Sequence, residues 1–183
     1  IKYSSKEVYK KIGSIIETPS FYENLTAYEN LKIVERLRGN KDKNKIYKAL
    51  KAVGVEKETK KTFSQYSLGM KQRLGIAAAI VHEPEILILD EPINGLDPIG
   101  ILEIRSFLLK LKEERGTTIL ISSHLLSEMD QVADIVGIIN EGTLINEMTI
   151  EELRFGNRKY LEFEVSSPTK AKEVLIRCYG LEE

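Results

Sequence analysis

The 183-residue sequence lacks several features that would each point to a particular class of protein. Its single cysteine, Cys178, excludes an internal disulfide framework and favours a reducing, cytosolic setting. Apolar runs such as residues 76–81 are far shorter than the ~18 residues that span a bilayer, and no secretory signal is visible. The net charge is −1, so the broad basic field of nucleic-acid-binding proteins is absent and we expect no nucleic-acid partner.

The composition is nevertheless that of a folded domain. Apolar residues make up 42% and charged residues 30% of the sequence, which is long enough to bury a sizeable core. The sequence starts with Ile1-Lys2-Tyr3 and has no initiator methionine, so we expect it to be part of a longer protein.

Apolar periodicity predicts an α/β fold, with a parallel sheet and flanking helices. Residues 12–16, 86–89 and 117–121 have the continuous apolar or β-branched character of buried strands. Residues from about 25 to 81 are mainly helical and are expected to form a separate lobe. Further elements are expected as helices at 46–53, 70–81, 127–132 and 169–177, a hairpin at 135–145 and a strand at 160–165.

Capping residues mark where several helices should begin. Thr26 with Glu29, and Thr149 with Glu152, have the spacing of a capping box, in which each side chain bonds the backbone N–H of the other residue. Asp97, directly before a proline, is typical of an N-cap.

The stretch ILILDEP, residues 86–92, places two acids, Asp90 and Glu91, at the end of an apolar strand. In open α/β sheets, ligands bind outside the carboxyl ends of the strands. One carboxylate there can hold Mg²⁺ through water, and its neighbour can orient or deprotonate an attacking water. The alternative is an ordinary acidic turn after a buried strand.

Three further stretches could contact phosphate, although each also has a purely structural explanation. Ser67 and Gly69 stand at the start of a predicted helix, where free N–H groups favour an anion, but serine is also a common N-cap. His124 follows the strand at 117–121, but a lone histidine in a loop is usually a surface residue. The sequence NGLD at residues 94–97 also fits a simple loop and N-cap.

Taken in this order and spacing, these stretches resemble the ATP-binding cassette (ABC) transporter ATPase family. YSLGMKQRL resembles its signature motif, ILILDEP its Walker B strand, NGLD its D-loop and Ser123-His124 its switch histidine. IGSIIETPSFYENLTAYENL and YSLGMKQRLGIA look most like the antibiotic-exporter branch, the bacitracin- or lantibiotic-type transporters. The resemblance covers residues 12 to 152 and implies an incomplete P-loop NTPase cassette: a parallel sheet with flanking helices plus a helical signature lobe.

The resemblance implies roles in ATP hydrolysis for three residues. Asp90 would hold Mg²⁺ by way of water, Glu91 would be the general base or water-polarising residue, and His124 would contact the γ-phosphate. ATP and Mg²⁺ would therefore be the cofactors.

The resemblance also implies a dimer at the membrane. Ser67 and Gly69 would bind the γ-phosphate of ATP held by a second nucleotide-binding subunit, and Asp97 would lie across the interface of this homodimer. The helical lobe would contact a membrane permease, which would keep the protein at the cytoplasmic face of the membrane as a peripheral subunit. The implied function is ATP-driven export of a peptide antibiotic or a similar compound.

Two departures from the family pattern bear on these roles. Glu17 stands where family members carry a glutamine; its carboxylate can reach Mg²⁺ or water, although its charge would repel a phosphate oxygen. Leu68 and Met70 replace the usual glycine and glutamine of the signature motif, whereas Ser67 and Gly69 are retained. We keep Glu17, Ser67, Gly69 and Asp97 as candidate nucleotide-binding residues.

No phosphate-binding loop of the pattern G-x-x-x-x-G-K-[ST] occurs in the sequence. Because the family carries this loop before the position of Glu17, we expect an N-terminally truncated chain that alone binds ATP poorly and does not turn it over. The expected segments are the end of an N-terminal core segment (1–25), the helical lobe (26–82), the hydrolytic core (83–157) and the start of a C-terminal extension (158–183).

Three alternative functions stay open. An ABC-type translation factor on the ribosome usually has two cassettes and a charged linker, and no such linker is visible. A DNA-repair ABC ATPase carries long coiled coils, but residues 17–67 have no sustained heptads. An inactive fragment is the third alternative.

Overall fold

A computed structural model describes residues 5–16, 19–39, 42–58, 60–124, 130–156, 165 and 167–179. The described helices are α1 (Ser5–Lys11), α2 (Ala27–Leu37), α3 (Lys43–Ala52), α4 (Leu68–Ile80), α5 (Pro98–Arg115), α6 (Ile150–Gly156) and α7 (Pro168–Tyr179), with a 3₁₀ turn at Phe63–Gln65. The described strands are β1 (Ile12–Ile15), β2 (Ile86–Asp90), β3 (Thr118–Ser122), β4 (Ile135–Asn140) and β5 (Thr143–Thr149). The chain divides into two compact units, residues 1–133 and 134–183.

Helices α2 and α5 begin at capping residues that the sequence predicts. The Thr26 hydroxyl accepts from the Glu29 N–H, and the Glu29 carboxylate accepts from the Thr26 N–H, which completes the capping box of α2. Ser67 caps α4 and Asp97 caps α5. Helix α5 ends at Gly116, whose φ of 63° is the left-handed conformation that glycine adopts without strain.

The first unit contains a parallel sheet of strand order β1-β2-β3. Its register pairs Ile15 with Leu89 and Asp90 with Ser122. Side chains alternate between the two faces of a sheet, so one set of residues faces the core and the other does not. The core side, here named the covered face, carries Gly13, Ile15, Leu87, Leu89, Ile119 and Ile121. The other side, named the open face, carries Ser14, Ile88, Asp90, Leu120 and Ser122.

Helix α4 packs directly on β1. A Cβ atom at Gly13 would lie 2.0 Å from the main-chain oxygen of Ala79, so no other residue fits at this position without displacing the helix. Gly75 allows a similar approach, because a Cβ there would lie 2.3 Å from Cγ of Pro19. The second half of the helix is apolar all round, and Leu74, Ile76 and Ala77 are fully buried, as expected for a helix inside a core.

The second unit contains the predicted hairpin of β4 and β5. These strands pair antiparallel through a turn in which Glu141 and Gly142 both have positive φ, as a tight two-residue hairpin requires. Thr149 and Glu152 form the second predicted capping box, at the start of α6. The division after Ala133 coincides with none of the predicted segment boundaries, and the assignment of motifs to those segments stays a prediction.

Two predicted elements cannot be compared with the structure in full. The strand predicted at 160–165 lies outside the described residues except for Val165. Half of the helix predicted at 127–132 also lies outside them, and its other half, residues 130–132, forms a turn. Helix α1 has no counterpart among the predicted elements. None of the described helices combines the length and the apolar composition that crossing a bilayer requires.

Candidate functional site

Polar side chains from two neighbouring strands meet at the carboxyl end of the open face. Asp90 is the last residue of β2, Ser122 is the last residue of β3, and the two are register partners. The Ser122 hydroxyl donates to Oδ1 of Asp90 and accepts from the main-chain N–H of Glu91 over 3.1 Å. One serine therefore orients both acids that follow the apolar strand.

His124 lies beside Glu91. Its Nδ1 is 3.0 Å from both carboxylate oxygens of Glu91. Because an ionised carboxylate only accepts, Nδ1 must carry a proton and donate to it. The Glu91 side chain is 31% exposed and that of His124 is 65% exposed, so water reaches this pair.

The start of α4 packs against the loop of residues 94–97. A Cβ at Gly69 would lie 3.3 Å from Cδ2 of Leu96, and a Cβ at Gly95 would lie 2.5 Å from Cδ2 of Leu68. Gly95 also has a φ of 77°, which a residue with a side chain rarely adopts. Gly95 is thus favoured by its backbone conformation, and both glycines leave room for the leucine side chains that pack between the signature-like helix and this loop.

Two of the predicted site residues act as helix caps in this structure. The Ser67 hydroxyl accepts from the Met70 N–H over 3.3 Å, and Oδ1 of Asp97 accepts from the Gly100 N–H over 3.0 Å. Capping leaves the remaining lone pairs of both side chains available, so it is compatible with a further role.

The structure thus brings Asp90, Glu91 and His124 together, and it brings Gly69 next to the loop that ends at Asp97. Glu17 lies outside the described residues. The roles of these residues in hydrolysis and dimerisation stay predictions.

Two residues of the site were not found from the sequence. Ser122 could have been found from strand register, because parallel strands that end together place their last residues side by side. Gln72 is 4% exposed on the apolar helix α4, and its Nε2 donates to the main-chain oxygen of Glu91 over 3.2 Å. A lone amide among buried apolar residues signals a buried hydrogen-bond partner, although not which one.

The oxygen atoms of this site suit Mg²⁺ that arrives with a nucleotide. Among the described residues, no group of three or more His, Cys, Asp or Glu side chains is placed to hold a metal ion. Mg²⁺, however, is usually bound by one or two carboxylates together with substrate phosphates and water. Asp90, with Ser122 bonded to one of its oxygens, supplies such a hard oxygen ligand at the edge of the sheet.

Comparison with known proteins identifies the family. A family model described as "ABC transporter" matches residues 1–94. The bacitracin transport ATP-binding protein BcrA of Enterococcus faecalis is 63% identical over 174 residues, which are 95% of this chain and 56% of that protein. The lantibiotic transport ATP-binding protein SrtF of Streptococcus pyogenes is 50% identical over 143 residues, 78% of this chain and 62% of that protein. The chain spans a little over half the length of these curated relatives.

Solved structures have the same fold. A dimeric ATP-binding cassette in a post-hydrolysis state with ADP and phosphate matches with a TM-score of 0.72 at 24% identity, over 81% of this chain and 68% of that one. A subunit of an ABC transporter complex from Clostridium perfringens also has a TM-score of 0.72, at 26% identity, over 98% of this chain and 70% of that one. The parallel sheet, the capped signature-like helix and these relatives agree: the chain belongs to the ABC transporter ATP-binding family.

Proposed function

We propose that this chain is part of the ATP-hydrolysing subunit of an ABC exporter that removes a peptide antibiotic, of which bacitracin is the first candidate. The observation that carries the proposal is the joined cluster of Asp90, Glu91, Ser122 and His124 at the ends of two parallel strands. The family binds ATP and Mg²⁺ in general. The narrower assignment to bacitracin is supported by the 63% identity to a bacitracin transport protein.

Each side chain has a task that its position supports. Glu91 accepts the proton of the attacking water at a carboxylate oxygen, and the His124 Nδ1–H holds that carboxylate in place. Asp90 would hold Mg²⁺, which when bound neutralises charge on the phosphates. If His124 also donates to the γ-phosphate through Nε2, its ring must carry protons on both nitrogens while Nδ1 bonds Glu91.

The proposed assembly is two copies of this subunit with a separate membrane permease, at the cytoplasmic face of the membrane. Family members work with permeases and form dimers. In this dimer, Ser67 and Gly69 of one copy bind the nucleotide held by the other, Asp97 lies at the interface, and Glu17 reaches the Mg²⁺ or water. The start of α4 is suited to an anion, because its first N–H groups and the helix dipole favour negative charge.

Drug susceptibility tests the proposed function. A sensitive strain that expresses the full-length protein with its permease should survive higher concentrations of bacitracin. Glu91→Gln should remove that protection, because losing the base lowers turnover by at least about 100-fold. The matched control is Glu114→Gln, which makes the same chemical change at an exposed position on α5.

Localisation separates this proposal from its alternatives. The tagged full-length protein should co-purify with membranes that contain the permease. Sedimentation with ribosomes, or unchanged protection by Glu91→Gln, would contradict the proposal. If the protein protects against a lantibiotic but not against bacitracin, it is still an exporter, and its substrate is the lantibiotic.

A further inference from the structure

A buried amide connects helix α4 to the backbone of Glu91. Gln72 is 4% exposed, and its Nε2 lies 3.2 Å from the main-chain oxygen of Glu91. Burying an amide without a partner is costly, so an amide at this depth is expected to keep its hydrogen bond. The contact crosses from the second turn of α4 to the end of β2, and it is made by a residue that has no assigned role.

The backbone that receives this hydrogen bond is unusual. Glu91 has a φ of 47°, in the left-handed region that is uncommon for residues with a side chain. Such a conformation persists only when surrounding groups hold it, and it is often found at active sites. The following Pro92 is fully buried, so the chain cannot easily shift there.

Contacts from three directions hold Glu91. Its N–H donates to Ser122 on β3, and its carbonyl accepts from the N–H of Asn94 within its own turn over 3.1 Å. Its carbonyl also accepts from Gln72. Of these three partners, only Gln72 belongs to helix α4, and Ser67, the N-cap of α4, lies about 7.5 Å before Gln72 along the helix axis.

We propose that Gln72 is a positioning residue that holds the main chain of Glu91 in its left-handed conformation and links the direction of the Glu91 carboxylate to the position of helix α4. This inference rests on the proposed function. If the start of α4 binds the nucleotide held by a second copy, a displacement of α4 is transmitted through Gln72 to the base of its own copy. Each hydrolytic centre then responds to the nucleotide in the other.

Two nearly isosteric variants of the full-length protein test the hydrogen bond itself. Gln72→Met removes the donor, and we expect kcat for ATP hydrolysis to fall about tenfold or more while KM changes less than about threefold, because a displaced base impairs chemistry more than binding. Gln72→Glu places a carboxylate against a carbonyl oxygen and should be at least as slow. Its activity relative to the unchanged protein should recover as the pH is lowered, because a protonated carboxyl can donate to Glu91.

Asn30 supplies the matched control. It is 1% exposed, and its Nδ2 donates to main-chain oxygens of Tyr22, Leu25 and Thr26, none of which belongs to the site. Asn30→Leu should lower stability but leave kcat per folded molecule and the shape of the pH profile unchanged. Gln72→Met must therefore differ from it in kcat and not in stability alone.

Hydrogen exchange of the Glu91 amide decides the inference without any turnover. Gln72→Met should speed exchange of this N–H by about tenfold, because the strained backbone opens more often, and Asn30→Leu should not. Unchanged exchange in Gln72→Met, or unchanged kcat in an active protein, would overturn the inference. Should the unchanged protein fail to hydrolyse ATP, the proposed function fails, and the exchange measurement still decides the role of Gln72.

Discussion

The two faces of the parallel sheet have very different surroundings, although both carry large apolar side chains. On the covered face, Leu87 is 0% and Leu89 is 1% exposed, whereas on the open face Leu120 is 64% exposed. Strands of parallel sheets are normally buried on both sides, which is why their sequences read as continuous apolar runs. The apolar runs in β2 and β3 therefore predict that other elements pack on the open face. The described residues supply no such elements.

The two faces also differ in their roles, because one stabilises the fold and the other carries the candidate site. The covered face is filled by α4 and by side chains of α5 such as Ile104 and Leu108, and its residues determine stability. The open face ends in Asp90 and Ser122, which carry the candidate site. Substitutions on the two faces should therefore have effects of different kinds and sizes.

The largest expected effect is at Gly13, on the covered face. In Gly13→Ala the new Cβ would lie 2.0 Å from the main-chain oxygen of Ala79, and neither backbone can move without disturbing the core. We expect a loss of about 3 kcal/mol or more in the free energy of unfolding, measured by urea denaturation.

Gly116→Ala is the control, because a Cβ at Gly116 would meet nothing within 4 Å and would suffer only from its φ of 63°. That backbone strain costs about 1–2 kcal/mol. Equal losses in the two variants would mean that close packing of α4 on β1 is not what makes Gly13 necessary.

Truncating one leucine on each face compares the faces directly. Leu87→Ala should cost about 2–5 kcal/mol, because it leaves a cavity in a close-packed core. Leu120→Ala should cost less than about 1 kcal/mol, because its side chain is already mostly in solvent. If urea denaturation gives similar losses in the free energy of unfolding for the two variants, the open face is covered in solution and the two faces do not differ as described.

A smaller effect is expected from His82, which lies between the end of α4 and the start of β1 and should make stability depend on pH. The Nε2 of His82 lies 3.0 Å from Nη1 of Arg38 and 3.1 Å from the main-chain oxygen of Ile12. Burial first, and then the charge of Arg38, lower the pKa of His82 from 6.5 to about 4. The unfolded chain therefore takes up a proton at higher pH than the folded one, and stability falls as the pH drops from about 6.5 to about 4.

His82→Gln should flatten the stability curve in the upper part of that window. The carboxylates of Glu29, Glu83 and Glu152, whose pKa values are lowered by their hydrogen-bond partners, lose their contribution only below about 4.5. Denaturation measured between pH 4.5 and 6.5 therefore isolates the contribution of His82 to the free energy of unfolding. If the stability of His82→Gln depends on pH in the same way as that of the unchanged protein, burial does not keep His82 neutral in the folded state, and the prediction is wrong.

Local sequence rules predicted the features that depend on neighbouring residues. The caps predicted at Thr26, Asp97 and Thr149 are confirmed, and Ser67 forms the N-cap that was its structural alternative, because a cap needs only a side chain and the N–H two or three residues later. The parallel strands β2 and β3 are also confirmed as neighbours, as is usual for two strands that one helix, here α5, connects along the chain.

Features set by contacts between distant residues were not predicted. The close approach at Gly13, the hydrogen bond from Gln72 to Glu91 and the double contact of Ser122 all join residues at least 19 positions apart. Helix α1 was missed because its sequence, SKEVYKK, has almost no apolar periodicity. The roles of Asp90, Glu91, His124, Ser67, Gly69, Asp97 and Glu17 stay predictions.

The most direct test of the account is the association state of Glu91→Gln in the full-length protein. Light scattering with and without ATP, alongside phosphate release, measures dimer formation and turnover in the same sample. If two copies bind nucleotide between them and Glu91 is the base, the variant forms a stable dimer with ATP and releases no phosphate. Phosphate release at the rate of the unchanged protein would remove Glu91 from the hydrolytic centre and contradict the account.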